Sequence, residues 1–379
     1  MKPVLLLVNQ TIGPLFSDVV SAAKNRGEVH VFKGAAYDRS TFFSRCFTWS
    51  FFSIQLAWHL IRCGQRYDRL LVVSNPPIAP LLAPFARRPY SLLLYDLYPQ
   101  VLRQLHLPPF LLVPTIKLWH SLNKLVYANA ERVFTLSTVM ASELRPYFVN
   151  EALWSSKLTV IPPWSDKSVS RRSDQDRDLF RQQMGIPNGD LLITYAGNLG
   201  LTHPLEHLLH AASILHNNIL NLPVCILIIG NGPKRSYLEQ LSSYLMLTPS
   251  RLRFLDPLPF DHLPSLLSAT DLTVVALDGP SASASLPSKT FSALACGAPL
   301  LALAPTNSSL ASLVISHLCG LVIPPGPKAS DHIVSAIVDL LANPFQLSEW
   351  SSHALASSHS YTSANADAII NAWLGESRS

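Results

Sequence analysis

LLITYAGNLGLTHPLEHLLHAASIL, residues 191–215, is the stretch that decides the fold. Leu191–Tyr195 is a short apolar run of the kind that makes a buried parallel strand. Gly197-Asn198-Leu199-Gly200 interrupts it, and apolar residues at helical spacing follow over about 204–217. The unit then repeats: Val224–Ile229 reads as strand, Gly230-Asn231-Gly232-Pro233 as turn, and a helix begins at about 234. A strand that ends in glycine and feeds a helix lets backbone approach an anion, and the helix start offers free N–H groups to it. The plainer alternative is a tight strand-to-helix turn with no ligand, and the residues alone leave both open. The second turn lacks the third glycine of a dinucleotide fingerprint, because Arg235 stands there, which weakens a dehydrogenase reading. Lys234 and Arg235 at its helix start suit a phosphate or simply face solvent. His203 and Glu206 fall in or near the first turn of the earlier helix.

Outward from this stretch the alternation continues in both directions. Arg253–Leu255, Leu272–Ala276, Pro299–Ala302 and Gly320–Ile323 extend the sheet towards the C-terminus. Towards the N-terminus, strands are expected at Val4–Val8, Val29–Phe32, Leu70–Val73, Ser91–Leu94, Arg132–Thr135 and Leu158–Ile161. Helices are expected at Leu15–Lys24, Thr48–Arg62 and Ile116–Tyr127. Strand–helix alternation predicts doubly wound parallel sheets. Residues 164–187 are rich in Ser, Arg, Asp and Gln, and read as a linker running into a short first helix. The expected organisation is therefore α/β, with two Rossmann-like domains facing a cleft: 1–165, to which a C-terminal segment at about 355–379 returns, a linker at 166–187, and 188–354.

The 379 residues, 48% hydrophobic and 14% charged, exclude a disordered chain. The short apolar run at 4–8 suits a first strand better than a signal peptide, and no uncharged apolar run approaches the length of a membrane span. Five cysteines with no C-x-x-C pair point to a reducing compartment, hence a cytoplasmic protein, and to no structural zinc. Residues 1–165 hold 17 basic against 8 acidic residues, and residues 166–379 hold 12 against 16. A basic N-terminal half suits an acidic partner: anionic lipid, a pyrophosphate-linked substrate or nucleic acid. The aromatic segment from Phe42 to Phe52 could meet a membrane surface or lie in a buried helix.

The strongest motif is Leu286-Pro287-Ser288-Lys289-Thr290-Phe291-Ser292-Ala293-Leu294-Ala295-Cys296-Gly297-Ala298-Pro299. Pro-Ser opens a helix with Ser288 as an expected N-cap, and Lys289 then stands at its positive end, suited to a pyrophosphate. Ser281–Ser285, small and polar, reads as a loop closing over a ligand. Asp96 follows a strand's carboxyl end, where a catalytic or orienting group belongs. A structural hydrogen bond is the alternative. Asp174, Asp176 and Asp178 alternate within the linker and read as solvated, so no metal site is expected.

Taken in order, YAGNLG (195–200), IIGNGP (228–233), LPSKTFSALACGAPLLA (286–302) and CGLVIPPG (319–326) resemble the donor domain of family 4 glycosyltransferases, of the GT-B fold. The similarity is greatest to bacterial enzymes that build surface polysaccharides and exopolysaccharides. YDLYP (95–99), FTLS (134–137) and VIPPW (160–164) agree with it, so the likeness runs over nearly the whole chain. The resemblance implies transfer of a sugar from a UDP- or GDP-linked donor to a glycan or lipid-linked acceptor, retaining and without metal. It implies no prosthetic group and no nucleic-acid partner, and a protein in the cytoplasm, peripheral on the inner face of the membrane. By position it gives Gly197 a backbone approach to the donor phosphates, Asn198 the shaping of that turn, Lys289 neutralisation of the leaving diphosphate, and Asp96 a place near the acceptor or reacting sugar. Gly230, Gly232, Lys234, Ser288 and Ser292 complete the donor-binding candidates. The chain departs from the family's pattern where a carboxylate pair is usual, with Ala284 and Ser292 in its place. Either the Ser288 and Ser292 hydroxyls hold the ribose, or donor binding is weak, or activity has been lost and the protein is a binding subunit. A sugar-nucleotide epimerase on the same fold is the other alternative.

Overall fold

The structure is a computed structural model that describes residues 2–34, 42–104, 109–217, 222–279 and 281–375. Twelve strands form two six-stranded parallel sheets among the described residues. The first sheet contains β1 (Val4–Val8), β2 (Glu28–Phe32), β3 (Arg69–Val73), β4 (Tyr90–Leu94), β5 (Val133–Thr135) and β6 (Leu158–Val160), in the order β2-β1-β3-β4-β5-β6. The second contains β7 (Leu191–Ala196), β8 (Val224–Ile229), β9 (Leu252–Leu255), β10 (Leu272–Ala276), β11 (Leu300–Leu303) and β12 (Gly320–Ile323), in the order β12-β11-β10-β7-β8-β9.

The apolar runs are buried because helices cover both faces of each sheet. In the second sheet, Ile193, Tyr195, Ile226 and Ile228 face one helical layer with Leu208 and Ile333. Their neighbours Leu192, Cys225, Leu227 and Ile229 face the other, with Phe180 and Leu266. That alternation explains why β7 and β8 read as unbroken hydrophobic runs: neither face meets water.

The chain divides into two compact units: Met1–Pro163 with Ser283–Leu286 and Ser363–Ser379, and Trp164–Ala282 with Pro287–Thr362. The helix Ala364–Leu374 packs on the helix Pro14–Lys24 of the first unit, and Arg26 and Arg69 reach its Asn371 side chain and Trp373 carbonyl. Within the stretch expected as linker, residues 174–183 form a ten-residue helix (Asp174–Gln183) capped by the Ser173 hydroxyl. Phe180 on it and Ile186 beyond it are buried in the second unit's core, so this part is domain rather than tether. The polarity that suggested a linker belongs to the helix's outer face, with Asp174 and Asp176 in its first turn, where carboxylates favour the helix dipole.

Candidate functional site

Each sheet has one place where strand order reverses, and the crevice outside the carboxyl ends of the two strands there is where open α/β sheets bind ligands. In the second unit that place lies between β7 and β10. The loop after β7 begins at Gly197, and the segment after β10 leads to Lys289. The two are joined by a hydrogen bond from the Asp278 N–H to the Thr202 carbonyl.

Lys289 is the first residue of the helix Lys289–Ala295. Its residue is only half-buried, but the ammonium Nζ has no accessible surface and no hydrogen-bond partner. Nζ lies 3.8 Å from the centre of the Tyr195 ring. It stands so close to Gly197 that an added Cβ there would come within 3.0 Å of it. Burial pushes the Lys289 pKa down to about 7. An ammonium without a hydrogen-bond acceptor, held against glycine backbone at a switch point, is an incomplete arrangement that an anion would complete.

The floor beneath it is polar and closed. The Tyr195 hydroxyl lies 2.5 Å from the Asn198 carbonyl and 2.7 Å from His203 Nδ1, and the Gly200 N–H donates to the same nitrogen at 3.2 Å. Burial first, then the Lys289 charge, push the His203 pKa down to about 4, so the imidazole is neutral at physiological pH. Asn198 thus acts through its carbonyl, as an anchor of the turn.

Gly230 and Gly232 serve a different purpose from the one the sequence suggested. Their loop packs backbone to backbone on the Gly197 loop: an added Cβ at Gly230 would lie 1.9 Å from the Gly197 carbonyl oxygen, and one at Gly232 would lie 2.6 Å from Leu199 N and O. Lys234 is committed as well, paired with Glu206 and donating to the His203 carbonyl at 2.9 Å. Arg235 donates to the carbonyls of Gly230 and Leu255 at 2.7 and 2.8 Å and pairs with Glu239, tying the ends of β8 and β9. These four residues build the platform under the Gly197 turn.

Ser288 occupies the N-cap position but has helical dihedrals and makes no side-chain cap bond, contrary to expectation, and it is exposed. The reason is the preceding Pro287, whose carbonyl accepts from the Thr290 N–H, so the chain is already turning before Ser288. Ser292 lies one turn along the same helix and is half-buried. The segment expected as a closing loop, Ser281–Ser285, is instead pinned where it is described: the Ala284 carbonyl accepts from Leu97 N at 2.9 Å, and Ser285 pairs with Asp96 as an antiparallel bridge.

Asp96 belongs to the first unit, past the carboxyl end of β4, with the Ser74 hydroxyl accepting from Tyr95 N at 2.9 Å. Burial raises the Asp96 pKa, opposed by a hydrogen bond from Ser285. A carboxyl whose folded pKa exceeds its unfolded value binds more protons when folded, so its contribution to stability falls as pH climbs from the ordinary carboxylate value through the raised one. Asp96→Asn is expected to flatten that fall in melting temperature above pH 4. A pH–melting profile unchanged by the substitution would show that Asp96 is ionised freely.

The first unit's own switch point lies between β1 and β3. It gathers amides that sequence reasoning missed. Asn75 Nδ2 donates to Asn9 Oδ1 and Thr11 Oγ1 at 2.8 and 3.1 Å, and Gln10, 1% exposed, leaves its Oε1 without a partner. Polar residues directly after the apolar runs at 4–8 and 69–73 were the available signal. Among the described residues no three of His, Cys, Asp or Glu stand close enough to share a metal ion.

Residues 176–355 match the family model described as glycosyl transferases group 1. WcaI of Escherichia coli K12, named for glycosyl transfer in colanic acid biosynthesis, is 26% identical over 217 residues, covering 57% of this chain and 51% of WcaI. The D-inositol 3-phosphate glycosyltransferase of Rhodococcus erythropolis is 28% identical over 182 residues, covering 47% of this chain and 39% of that protein. The match thus spans about half of WcaI and less of the second relative. Anabaena HepE, solved with UDP and glucose, superimposes with a TM-score of 0.73 at 17% identity, covering 99% of this chain and 100% of HepE. The segment that is similar by sequence to the group 1 glycosyl transferase model lies around Lys289, and by structure the whole chain has the GT-B fold.

Proposed function

We propose that the chain is a glycosyltransferase that takes a sugar from a nucleotide-diphosphate donor and places it on a hydroxyl of a glycan or lipid-linked acceptor. The observation that carries this reading is the Lys289 ammonium, buried without a hydrogen-bond partner at the β7/β10 switch point against Gly197. The donor's diphosphate lies there, accepting from Lys289 and from backbone in the Gly197 turn. As the bond from the anomeric carbon to the diphosphate oxygen breaks, negative charge gathers on the leaving group, and a fixed cation lowers that barrier. The acceptor hydroxyl forms the new bond and releases its proton. Lys289 supplies the charge neutralisation that a metal supplies elsewhere, which supports a metal-independent reaction. Retention at the anomeric carbon, membership of family 4 and a role in polysaccharide assembly rest on the sequence resemblance and on what WcaI is named for. Asp96 and the amides at the β1/β3 switch point are the acceptor-side candidates, and the Ser292 hydroxyl takes the ribose in place of the usual carboxylate.

Thermal-shift measurements with UDP, GDP, ADP and dTDP test the reading and name the base. A shift with one of them, followed by release of that diphosphate from its sugar-linked forms, is the expected result. Absence of any shift removes the donor site. Binding without turnover favours the other reading that Ala284 and Ser292 support, a sugar-nucleotide-binding subunit without catalysis.

A further inference from the structure

A cavity of about 350 Å³ lies at the other edge of the second unit's sheet, and every residue that lines it belongs to that unit. Thr270 and Asp271 line it immediately before β10, and Gly297 and Pro299 just before β11. The two strands run parallel, so this is their amino edge, whereas the Lys289 crevice lies beyond carboxyl ends. The strands between the two places, five and four residues long, separate them by roughly 13–17 Å.

The acceptors in the cavity walls are already engaged. The Ser268 hydroxyl accepts from Arg172 N at 2.9 Å, and the Thr270 hydroxyl donates to the Leu266 carbonyl at 2.8 Å. Asp271 Oδ2 accepts from Arg181 and from Leu192 N at 2.9 and 2.8 Å, and Arg181 does not line the cavity. The helices Leu263–Ala269 and Lys289–Ala295 end here, where free carbonyls would repel an anion. Those carbonyls are occupied: Ala269 O accepts from Arg181 at 3.1 Å and Gly297 O from the Ser351 hydroxyl at 2.7 Å.

The donors are less fully used. Arg171 donates to the Ser351 hydroxyl at 3.0 Å and pairs with no carboxylate among the described residues. Its guanidinium lies against backbone, since a Cβ added at Gly297 would come within 3.0 Å of Nη1. Arg177 reaches Asp174 at 3.0 Å, but that side chain is 85% exposed, and such surface pairs contribute little. Arg177 Nε is buried without a hydrogen-bond partner. Each guanidinium has five N–H donors, so several remain for a ligand. The helix Phe345–Ser358 adds its positive end to the same wall, through Leu347 and Ser348 in its first turn.

We propose that this cavity binds the phosphate monoester of a small polyol, at a site separate from the donor cradle. The planar forks of Arg171 and Arg177 hold the phosphate oxygens. Near pH 7 a phosphate monoester carries about −1.5 to −2 of charge, which suits two guanidinium groups better than a single carboxylate does. The volume admits about ten or more water molecules, which leaves space beyond a phosphate group. The exposed hydroxyls of Ser348 and Ser352 in the same wall suit the polyol. The site is independent of the sugar-transfer reading, because no donor-binding candidate lines it.

Thermal shift and titration calorimetry of the full chain with glucose 6-phosphate, in phosphate-free buffer and beside glucose and succinate, are the test. Glucose 6-phosphate should stabilise the wild type, and glucose and succinate should not. The stabilisation should persist in Lys289→Met, which removes the cation of the donor cradle. Arg171→Gln with Arg177→Gln should weaken binding at least about tenfold, through lost charge-assisted hydrogen bonds, and leave the nucleotide-induced shift unchanged. Ser348→Asp separates binding from folding. An acid in the first turn of a helix favours the dipole, so this variant should melt no lower than wild type, yet its carboxylate should weaken glucose 6-phosphate binding several-fold. A wild type that does not respond to glucose 6-phosphate overturns the proposal. So does a response that Lys289→Met removes and the arginine variant keeps, which would put the phosphate in the donor cradle. A succinate response equal to that of glucose 6-phosphate overturns the phosphate assignment.

Discussion

Lys289→Met is expected to make the unliganded protein more stable and, at the same time, to weaken its response to a nucleoside diphosphate. The two effects have one cause. An ammonium stripped of water and given no acceptor is costly, and the Tyr195 face offsets only part of that cost. Replacing even a paired buried charge, together with its partner, by apolar side chains of similar volume is neutral to stabilising by about 1–4 kcal/mol, and this ammonium has no ion-pair attraction to lose. The diphosphate, in contrast, loses a charge-assisted hydrogen bond, worth about 1.5–3 kcal/mol, or roughly ten- to a hundredfold in affinity. A merely structural lysine would behave in the opposite way, losing stability when removed. A melting temperature that falls in Lys289→Met, with the nucleotide shift retained, would therefore sink both the cradle and the function built on it.

The pH dependence follows with the same sign. The folded pKa of Lys289 is pushed down to about 7 from an ordinary value of 10.5. Between these two values the unfolded chain holds a proton that the folded chain has released, so the penalty is relieved and stability rises with pH across that window. Lys289→Met removes this rise. Diphosphate binding requires the ammonium, so affinity should weaken as pH rises above about 7, accompanied by proton uptake on binding. Titration calorimetry in buffers of different ionisation enthalpy measures that uptake directly.

The sheets were legible because their strands are buried on both faces. A doubly covered strand is an uninterrupted apolar run, and that signal survives without any knowledge of partners. Val224–Ile229 and Val4–Val8 show it, each being both the expected and the observed strand. What failed was chemistry that depends on three-dimensional pairing. Lys234 and Arg235 had the right charge at the right place in sequence, yet Glu206, Glu239 and three carbonyls take up their donors. Ser288 was expected to cap a helix, but the turn set by Pro287 removes the geometry a cap needs. The amides Asn9, Gln10 and Asn75 escaped notice because their meeting depends on strand order, with β3 beside β1, which local sequence does not carry. Lys289 was singled out as a phosphate partner at a helix start. Its isolation from any acceptor, the feature that gives the site its argument, depends on Tyr195 and Gly197 nearly a hundred residues earlier.

Gly230→Ala should be among the most damaging small substitutions in the second unit. The residue sits at φ +138°, where side chains other than glycine are strained, and the new methyl would fall 1.9 Å from the Gly197 carbonyl oxygen. Neither loop can retreat cheaply. The Gly230 N–H is bonded to Leu255 O at 3.0 Å and the Gly197 N–H to Ile229 O at 2.9 Å, so separating the loops means breaking the sheet's own hydrogen-bond pattern at its carboxyl edge. Backbone strain alone costs about 1–3 kcal/mol, and the collision with backbone carries the total to about 4 kcal/mol or more. Gly189→Ala is the control that separates the two contributions. Gly189 also has positive φ, +87°, but nothing lies within 4 Å of an added Cβ, so only strain of about 1–2 kcal/mol remains. Thermal melting of the two variants should therefore differ by the cost of the collision. Any Gly230→Ala protein that does fold should have its Gly197 turn displaced from Lys289 and a weakened response to nucleotide, whereas Gly189→Ala keeps that response. A Gly230→Ala variant that melts with Gly189→Ala would mean that the loops slide apart freely, and that the platform under the Gly197 turn is not rigid enough to position a diphosphate.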